Sequence, residues 1–172
     1  MDDISEHRLK LVYPILADKI RQLHDLLEKE GIEIRVIMGL RTWEEQDALY
    51  AKGRTTEGPR VTNAHGGQSW HNFGLAVDVC PSQYGPDKPY TPDWNESHPA
   101  WKRMVEAGVS LGLTSGAFWR TIHDVPHFQF TGLWPATPND AVRELYKAGG
   151  LKATWEELDN NLGYTDKLGS SP

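Results

Sequence analysis

The sequence predicts an α+β protein, in which a small and mostly antiparallel sheet is flanked by helices. Three observations lead to this class. Apolar residues recur at helical spacing in several segments, short alternating stretches indicate strands, and turn-rich stretches interrupt them at residues 53–69 and 81–99. The second of these holds five prolines, which remove backbone donors and fix φ, so it is not regular throughout.

The first half of the chain is expected to begin with a helix whose apolar stripe consists of Leu16, Ile20, Leu23 and Leu27. Gly31 ends this helix, and apolar residues then alternate with charged ones over residues 32–36, which predicts a strand over residues 32–38. Thr42 followed by Glu45 matches a capping box, so a second helix is expected to run to about Lys52.

The second half is expected to contain strands at residues 74–80 and 127–130. Between them, Ser97 with Pro99 in the first turn predicts a helix that runs to about Val109.

The C-terminal part is expected to be helical. A helix over residues 137–148 is opened by Thr-Pro and ended by two glycines, and a last helical turn or two includes Trp155 and Leu158. We expect residues 1–136 to form one domain and residues 137–172 to be a helical extension packed on that domain.

Composition and charge exclude several classes of function. The 18 basic and 24 acidic side chains give a net charge of −6, and there is no long basic run, which argues against binding nucleic acid through its phosphates. No apolar stretch approaches the roughly 20 residues of a membrane-spanning helix. The single Cys80 excludes an internal disulfide, and residues 1–16 lack an apolar run, so we expect no secretory signal peptide.

His71 and Asp78 are the first candidates for chemistry. Their spacing alone is weak, because chance pairs at this spacing are common in a chain with this many histidines and aspartates. In a strand their side chains would lie about 23 Å apart, and in a helix they would be separated by roughly 10 Å along the axis. Both reach one ion only if a loop at residues 71–74 folds back over the strand, which Gly74 permits.

On the strand, alternation places Ala76, Asp78 and Cys80 on one face and the apolar residues on the face toward the core. Asp78 is then left among small residues, where another group can approach it. The alternative is an exposed carboxylate on a half-buried strand. A lone strand cysteine is expected to be a small core residue.

The partner segment contains His123 and His127, whose spacing matches the two histidines of helical zinc proteases. Pro126 would lie inside the required helix, so that geometry is disfavoured. We interpret Asp124 to His127 as a turn that leads into a strand, with His127 as the better ligand. His123 is expected either to lie at the surface or to support a ligand without binding the metal.

Together, His71, Asp78 and His127 would supply the nitrogen and oxygen ligands of a catalytic zinc, which keeps one position open for water. Zinc lowers the pKa of bound water toward roughly 7. Asp124 would accept the proton of that water and return it to a leaving amine.

The motif S-x-H-x-x-G-x-A-x-D is present as Ser69, His71, Gly74, Ala76 and Asp78. Followed farther along by D-x-P-H, it resembles the zinc D-alanyl-D-alanine peptidase family of the hedgehog superfamily, which includes vancomycin-resistance dipeptidases and the L-alanyl-D-glutamate endopeptidases of phage lysins and bacilli. The segment that begins at Arg41 is similar to the family's arginine segment. The resemblance covers roughly residues 30–132.

The resemblance implies that zinc is bound by His71, Asp78 and His127. It also implies that Asp124 is the general base. Arg41 would steady the substrate carbonyl or the developing oxyanion, and Ser69 would help to position the substrate.

Three features bear on the choice of substrate. The aspartate base looks more like the endopeptidase branch than the dipeptidases, which carry a longer glutamate. Gln129 stands where many relatives have glutamate, and Gly39-Leu40 replaces the more usual aromatic approach to the arginine. These two departures affect the expected substrate preference and not metal binding.

We therefore expect a zinc-dependent peptidoglycan hydrolase that cleaves the stem peptide at the L-alanyl-D-glutamate bond. The alternatives are a D-alanyl-D-alanine carboxypeptidase of the same family and a non-catalytic zinc-containing binding module like the hedgehog domain; Asp124 favours an enzyme. We expect a monomeric phage or prophage endolysin, released by a holin lesion or a dedicated secretion machine. The alternative for residues 137–172 is a small wall-binding appendage.

Overall fold

The computed structural model describes residues 1–120 and 123–163 and has the α+β architecture expected from the sequence. The helices are α1 (Asp3–Leu9), α2 (Pro14–Glu28), α3 (Trp43–Ala51), α4 (Pro99–Ser110) and α5 (Asp140–Leu162). The strands are β1 (Ile34–Met38), β2 (Ala76–Pro81), β3 (Thr114–Ser115) and β4 (His127–Gln129). None of the described helices is long and apolar enough to cross a membrane.

The first of two compact units consists of Met1–Leu40 and Gly74–Phe130. It contains the sheet, whose strands follow the order β1-β2-β4-β3, and every neighbouring pair is antiparallel. The prediction of a small antiparallel sheet is therefore confirmed. Because side chains alternate along each strand, residues paired across strands share a face of this sheet.

The two faces of the sheet differ in composition. One face carries fully buried apolar side chains, namely Ile34, Val36, Val77, Val79 and Phe128. The other carries Ala76, Asp78 and Cys80 from β2, with Gln129 opposite Ala76 and His127 opposite Asp78. Cys80 is buried, as expected of a small core residue, and burial raises the pKa of its thiol. The predicted alternation along β2 is confirmed.

Helices α2 and α4 supply the core of this unit. The predicted stripe of α2 is completely buried, and α2 packs against α4 and β1, while α4 contacts β2 and β3. At Gly108 of α4, a Cβ atom would lie 2.3 Å from Cε1 of Phe128 on β4. A side chain at this position would have to displace the Phe128 ring, so the glycine allows this close contact between α4 and Phe128.

The second unit consists of Arg41–Phe73 and the chain from Thr131 onward. Its helix α3 has the predicted capping box, in which Thr42 Oγ1 accepts from the N–H of Glu45 at 3.1 Å and the Glu45 carboxylate accepts from the N–H of Thr42 at 2.8 Å. Satisfying these otherwise orphaned donors explains why the helix begins at Trp43.

Aromatic side chains organise the rest of this unit. Trp70 stacks on Trp134 with ring centroids 5.6 Å apart, and its indole N–H donates to the carbonyl of Ala136 at 2.9 Å. The indole of Trp155, on α5, donates to the carbonyl of Phe73 at 2.8 Å. These bonds join the C-terminal helix to the turn that carries the motif histidine.

The start of α4 differs from the sequence prediction. The helix is capped by His98, whose Nδ1 accepts from the N–H of Ala100 at 3.3 Å, and not by Ser97. Pro99 occupies the first helical position, so the residue directly before it has to be the cap. Helix α1 and strand β3 were not predicted, because both are too short to show a periodic pattern.

The boundaries of α5 also differ. Asn139 caps the helix by accepting from the N–H of Val142 at 3.0 Å, so the helix begins after the predicted Thr137-Pro138. Gly149 and Gly150 have non-helical backbone angles, which confirms the predicted interruption. The helix resumes beyond them and is longer than the one or two turns expected. Residues 164–172 lie outside the described part of the chain.

Candidate metal centre

Two of the predicted ligands face each other across β2 and β4. Asp78 and His127 are paired directly in the antiparallel register. The adjacent ladder bond runs from the N–H of Val79 to the carbonyl of Pro126 at 2.9 Å, so Asp78 and His127 form a non-hydrogen-bonded pair, the type whose side chains approach most closely. Oδ1 of Asp78 lies 3.4 Å from Nδ1 of His127. The register of the sheet therefore fixes this half of the site.

The imidazole of His127 is almost completely buried, and its two nitrogens have different neighbours. Nδ1 faces Asp78, whereas Nε2 lies 3.0 Å from Oε1 of Gln129. The ring of Trp119 lies 4.7 Å from the imidazole and forms a wall beside it. Burial lowers the pKa of His127, but the hydrogen bond and charge of Asp78, together with Asp124 and Gln129, raise it above its ordinary value. The negative charges of Asp78 and Asp124 near this imidazole also favour a bound cation.

Asp124 begins the tight turn that leads into β4. Its carbonyl accepts from the N–H of His127 at 3.1 Å, and its own N–H donates to the carbonyl of Gly116 at 3.2 Å. A Cβ atom on Gly116 would lie 2.5 Å from the Asp124 carbonyl oxygen and 3.0 Å from Cβ of His127. The predicted turn is confirmed, and Gly116 is the residue that gives it room. His123 is exposed, as predicted.

His71 lies in a 3₁₀ turn, Trp70–Phe73, in which all four residues are buried. Gly74 follows this turn with φ at 64°, a conformation that L side chains rarely adopt. Between Trp70 and Gly74 the chain is thus neither extended nor α-helical, and the special conformation predicted for Gly74 is confirmed.

The side chain of Asn72 holds the turn in place. Its Oδ1 accepts from the N–H groups of Gly67 at 3.0 Å and Ser69 at 3.3 Å. Its Nδ2 donates to the carbonyl oxygens of Arg41 at 3.0 Å and Thr42 at 3.3 Å. A buried amide that joins four backbone groups fixes the conformation of the residues on either side of it.

The two predicted substrate contacts are bonded to the same turn. The N–H of Arg41 donates to the carbonyl of His71 at 3.0 Å, and its Nη1 donates to Oε1 of the buried Gln46 at 2.9 Å. The hydroxyl of Ser69 accepts from the N–H of His71 at 3.4 Å. These bonds place Arg41 and Ser69 beside the motif histidine, while their roles toward a substrate stay predictions.

One potential ligand atom of each of His71, Asp78 and His127 lies within 4.8 Å of the other two. Two imidazole nitrogens and a carboxylate oxygen are a donor set that catalytic zinc sites use, so these residues fit the metal that the sequence predicts. Among the described residues the same spacing occurs in one other group, whose two carboxylates are exposed: His24, Asp25 and Glu28.

Sequence reasoning missed two residues that shape the site. Asn72 lies inside the motif, and an amide side chain directly beside a predicted ligand, His71, was a usable signal. Gly116 gave no signal, because it is one of 16 glycines and its contact with Asp124 exists only in the folded chain.

Several known proteins are similar to this chain. A family model described as VanY, D-alanyl-D-alanine carboxypeptidase, matches residues 9–118, a span that includes Arg41, His71 and Asp78 and ends before Asp124 and His127. The peptidoglycan L-alanyl-D-glutamate endopeptidase CwlK of Bacillus subtilis (strain 168) is 34% identical over 123 residues, which are 69% of this chain and 72% of CwlK.

Two further proteins are more distant. The putative carboxypeptidase YodJ of the same Bacillus strain is 29% identical over 72 residues, which are 40% of this chain and 26% of YodJ. The crystal structure of the Serratia marcescens L-Ala D-Glu endopeptidase ChiX is similar in fold, with a TM-score of 0.52 and 24% identity, over 76% of this chain and 89% of ChiX. The resemblance predicted from the motifs is confirmed: the chain belongs to the VanY D-alanyl-D-alanine carboxypeptidase family.

Proposed function

We propose that this protein is a zinc-dependent peptidoglycan hydrolase that cleaves the stem peptide between L-alanine and D-glutamate. One observation carries the proposal: His71, Asp78 and His127 each offer a potential ligand atom, and these three atoms lie within 4.8 Å of one another. The choice of bond is supported by CwlK and ChiX, both of which are named as endopeptidases for this bond. The aspartate at position 124 agrees with this branch of the family.

In this proposal His71, Asp78 and His127 hold the zinc ion. Bound zinc supplies Lewis acidity, which polarises a substrate carbonyl and makes water a better nucleophile near neutral pH. The carboxylate of Asp124, on the turn before His127, accepts the proton of the attacking water. As the new C–O bond forms and the C–N bond breaks, Asp124 delivers that proton to the leaving amine nitrogen.

Arg41 and Ser69 have supporting roles in the same proposal. The guanidinium of Arg41 would donate to the substrate carbonyl oxygen and stabilise the negative charge that develops on it. Gln46, which accepts from Nη1 of Arg41, would orient that guanidinium. Ser69, bonded to the N–H of His71, would shape the position of the substrate beside the metal.

The test is digestion of purified peptidoglycan by the zinc-loaded protein, with mass spectrometry of the newly freed ends. New N-terminal glutamate supports the proposal, whereas no cleavage by protein with a full complement of zinc contradicts it. The Asp124→Asn variant should keep zinc near one equivalent and lose about 100-fold or more in turnover. Asp140→Asn, an exposed aspartate at the start of α5, is the matched control and should be as active as the wild type.

The second candidate is a D-alanyl-D-alanine carboxypeptidase, which the description of the matching family favours. The same digestion distinguishes it, because a carboxypeptidase releases free D-alanine and leaves the L-alanyl-D-glutamate bond intact. A zinc-containing binding module would bind peptidoglycan without either product, and the Asp124→Asn substitution would leave that binding unchanged.

We also propose that the chain acts as a monomer in which residues 137–172 extend a peptidase domain formed by residues 1–136. The bond from the Trp155 indole to the carbonyl of Phe73 supports a structural role for this extension. Light scattering of the purified protein tests the oligomeric state. The alternative, that residues 137–172 bind the cell wall, is tested by peptidoglycan pull-down with a Trp155→Phe variant. Loss of wall binding with zinc retained would indicate a wall-binding appendage.

A further inference from the structure

We propose that Gln129 is a positioning residue of the metal centre, whose amide oxygen holds the hydrogen on Nε2 of His127 and so leaves the lone pair of Nδ1 for the metal. The inference rests on the proposed function, because it takes His127 to be a zinc ligand. It assigns a role to a residue that the sequence marked only as a departure from its relatives.

Gln129 and Asp78, the two residues that contact the imidazole nitrogens of His127 in this inference, lie on the antiparallel pair β4 and β2. His127 and Gln129 are two residues apart on β4, so both side chains are on the same face, about 7 Å apart at their Cα atoms. A glutamine side chain spans this distance, and Oε1 of Gln129 lies 3.0 Å from Nε2 of His127. Gln129 is only 2% exposed and is paired with Ala76, whose small side chain leaves room for the amide.

The opposite nitrogen of the ring faces the proposed metal site. Nδ1 of His127 lies 3.4 Å from Oδ1 of Asp78, another of the three proposed ligands. Gln129 and Asp78 therefore lie on opposite edges of the imidazole. The ring is held between a carbonyl-type acceptor on one edge and a carboxylate ligand on the other.

A neutral imidazole carries one N–H and one lone pair, and its neighbours decide which nitrogen has which. An amide oxygen only accepts, so its contact with Nε2 places the hydrogen there. The reverse orientation of the amide would offer N–H to Nε2 and put the hydrogen on Nδ1, where it would block the metal. Partners of this kind on the far nitrogen of a ligating histidine typically change metal affinity by 10- to 100-fold.

The experiment compares three variants of the full chain. Gln129→Leu removes the acceptor at nearly constant volume, Gln129→Glu keeps an acceptor, and Thr114→Val is the matched control. Thr114 is paired with Gln129 across β3 and β4 and is exposed. For each protein the zinc dissociation constant is measured by competition with a chromophoric chelator. The ring nitrogens of His127 in the zinc-loaded protein are assigned by long-range ¹H–¹⁵N NMR.

We expect wild type to show the hydrogen on Nε2 and the metal on Nδ1. Gln129→Leu should weaken zinc binding by roughly 10- to 100-fold, Gln129→Glu should restore it to within a few-fold, and Thr114→Val should leave it unchanged. Rescue by glutamate separates positioning from a general effect on folding.

Two results overturn the inference while leaving the proposed function intact. One is a zinc-loaded wild type whose His127 carries its hydrogen on Nδ1. The other is a folded Gln129→Leu variant that binds zinc as tightly as wild type. If Gln129→Leu does not fold, the NMR assignment of wild type decides alone. A wild type that binds no zinc overturns the proposed function as well.

Discussion

The two segments that carry the proposed ligands are held by different kinds of structure. Asp78 and His127 sit on paired strands, and a strand register changes only in whole-residue steps, each of which moves every side chain to the other face. His71 sits on a short 3₁₀ turn held by the side chain of Asn72. Two paired strands either keep their register or lose it, so Asp78 and His127 are kept in place or displaced together. A turn, by contrast, can loosen gradually. We therefore expect zinc affinity to be more sensitive to damage at the turn than to an equal loss of stability in the sheet.

The largest expected effect concerns the turn that leads into β4. In Gly116→Ala the new Cβ would lie 2.5 Å from the Asp124 carbonyl oxygen, so the turn has to move and the base moves with it. A displacement of about 1 Å can cost on the order of 100-fold in turnover, and we expect a loss of that size in kcat. Steady-state hydrolysis of a stem-peptide substrate measures it.

The double variant Gly116→Ala with Asp124→Asn shows whether the glycine acts through the base. If it does, the double variant loses little more activity than Asp124→Asn alone, since groups that act as a unit are not additive. If the losses in kcat of the two single variants multiply fully in the double variant, Gly116 does not act through Asp124.

The second effect tests the His71 turn itself. Asn72→Ala removes four hydrogen bonds, one of them buried and three partly buried, so we expect the free energy of unfolding to fall by about 2 kcal/mol. Zinc affinity should fall as well, because the proposed ligand His71 is adjacent to Asn72 and lies in the turn that these bonds hold. Urea unfolding and chelator competition give the two quantities. An Asn72→Ala variant with reduced stability and unchanged zinc affinity would contradict the expectation that zinc binding depends on the His71 turn.

The matching effect in the sheet comes from Gly108→Ala. Its Cβ would meet the Phe128 ring at 2.3 Å, and overpacking of this kind costs about 1.5 kcal/mol. Phe128 lies on the apolar face of β4, between His127 and Gln129, so the strand has to shift as a whole or remain in register. We expect lower stability with zinc affinity retained, measured as for Asn72→Ala. A large loss of zinc affinity would mean that the paired strands β2 and β4 can be distorted without a change of register.

The smallest effect lies at the edge of the sheet, far along the chain from the ligands. Asp2 caps α1 through the N–H of Ser5 and pairs with Arg35 on β1. Burial raises the pKa of Asp2, but the bonds from Ser5 and Arg35 outweigh it and bring the pKa below its ordinary value. The stabilisation is therefore present above the pKa of the unfolded chain and is lost as pH falls through the lower folded pKa.

Asp2→Asn should accordingly be less stable than wild type by at most about 1 kcal/mol at pH 7, and the difference should shrink toward pH 2. Thermal unfolding across this pH range measures it. A difference that grows on acidification would contradict the assigned direction of the shift. Zinc affinity at neutral pH should be unchanged, because β1 carries none of the proposed ligands.

Much of the fold was predictable because it follows from local rules. The stripe of α2, the capping box of α3 and the alternation of β2 can each be recognised within a single helix or strand. Prediction failed where a boundary depends on which neighbour supplies a cap, as at His98 and Asn139. It also failed for elements too short to show a period, such as β3.

The sequence by itself determined the residue types of the site. A histidine before a glycine and a small-residue strand, with a second histidine after an aspartate and a proline, indicated the family and the donors of a zinc site. Proline alone was enough to reject a helix between His123 and His127, because its ring is incompatible with helical geometry there.

Only the tertiary structure decided how these residues meet. Pairing of Asp78 with His127 is a property of the β2–β4 register, which joins positions 49 residues apart and which no local pattern specifies. The room that Gly116 leaves for Asp124, and the contact of Gln129 with Nε2 of His127, arise from the same pairing. Sequence patterns act over a few residues, whereas the choice of nitrogen at a metal site depends on atoms within about 3 Å that only folding brings together.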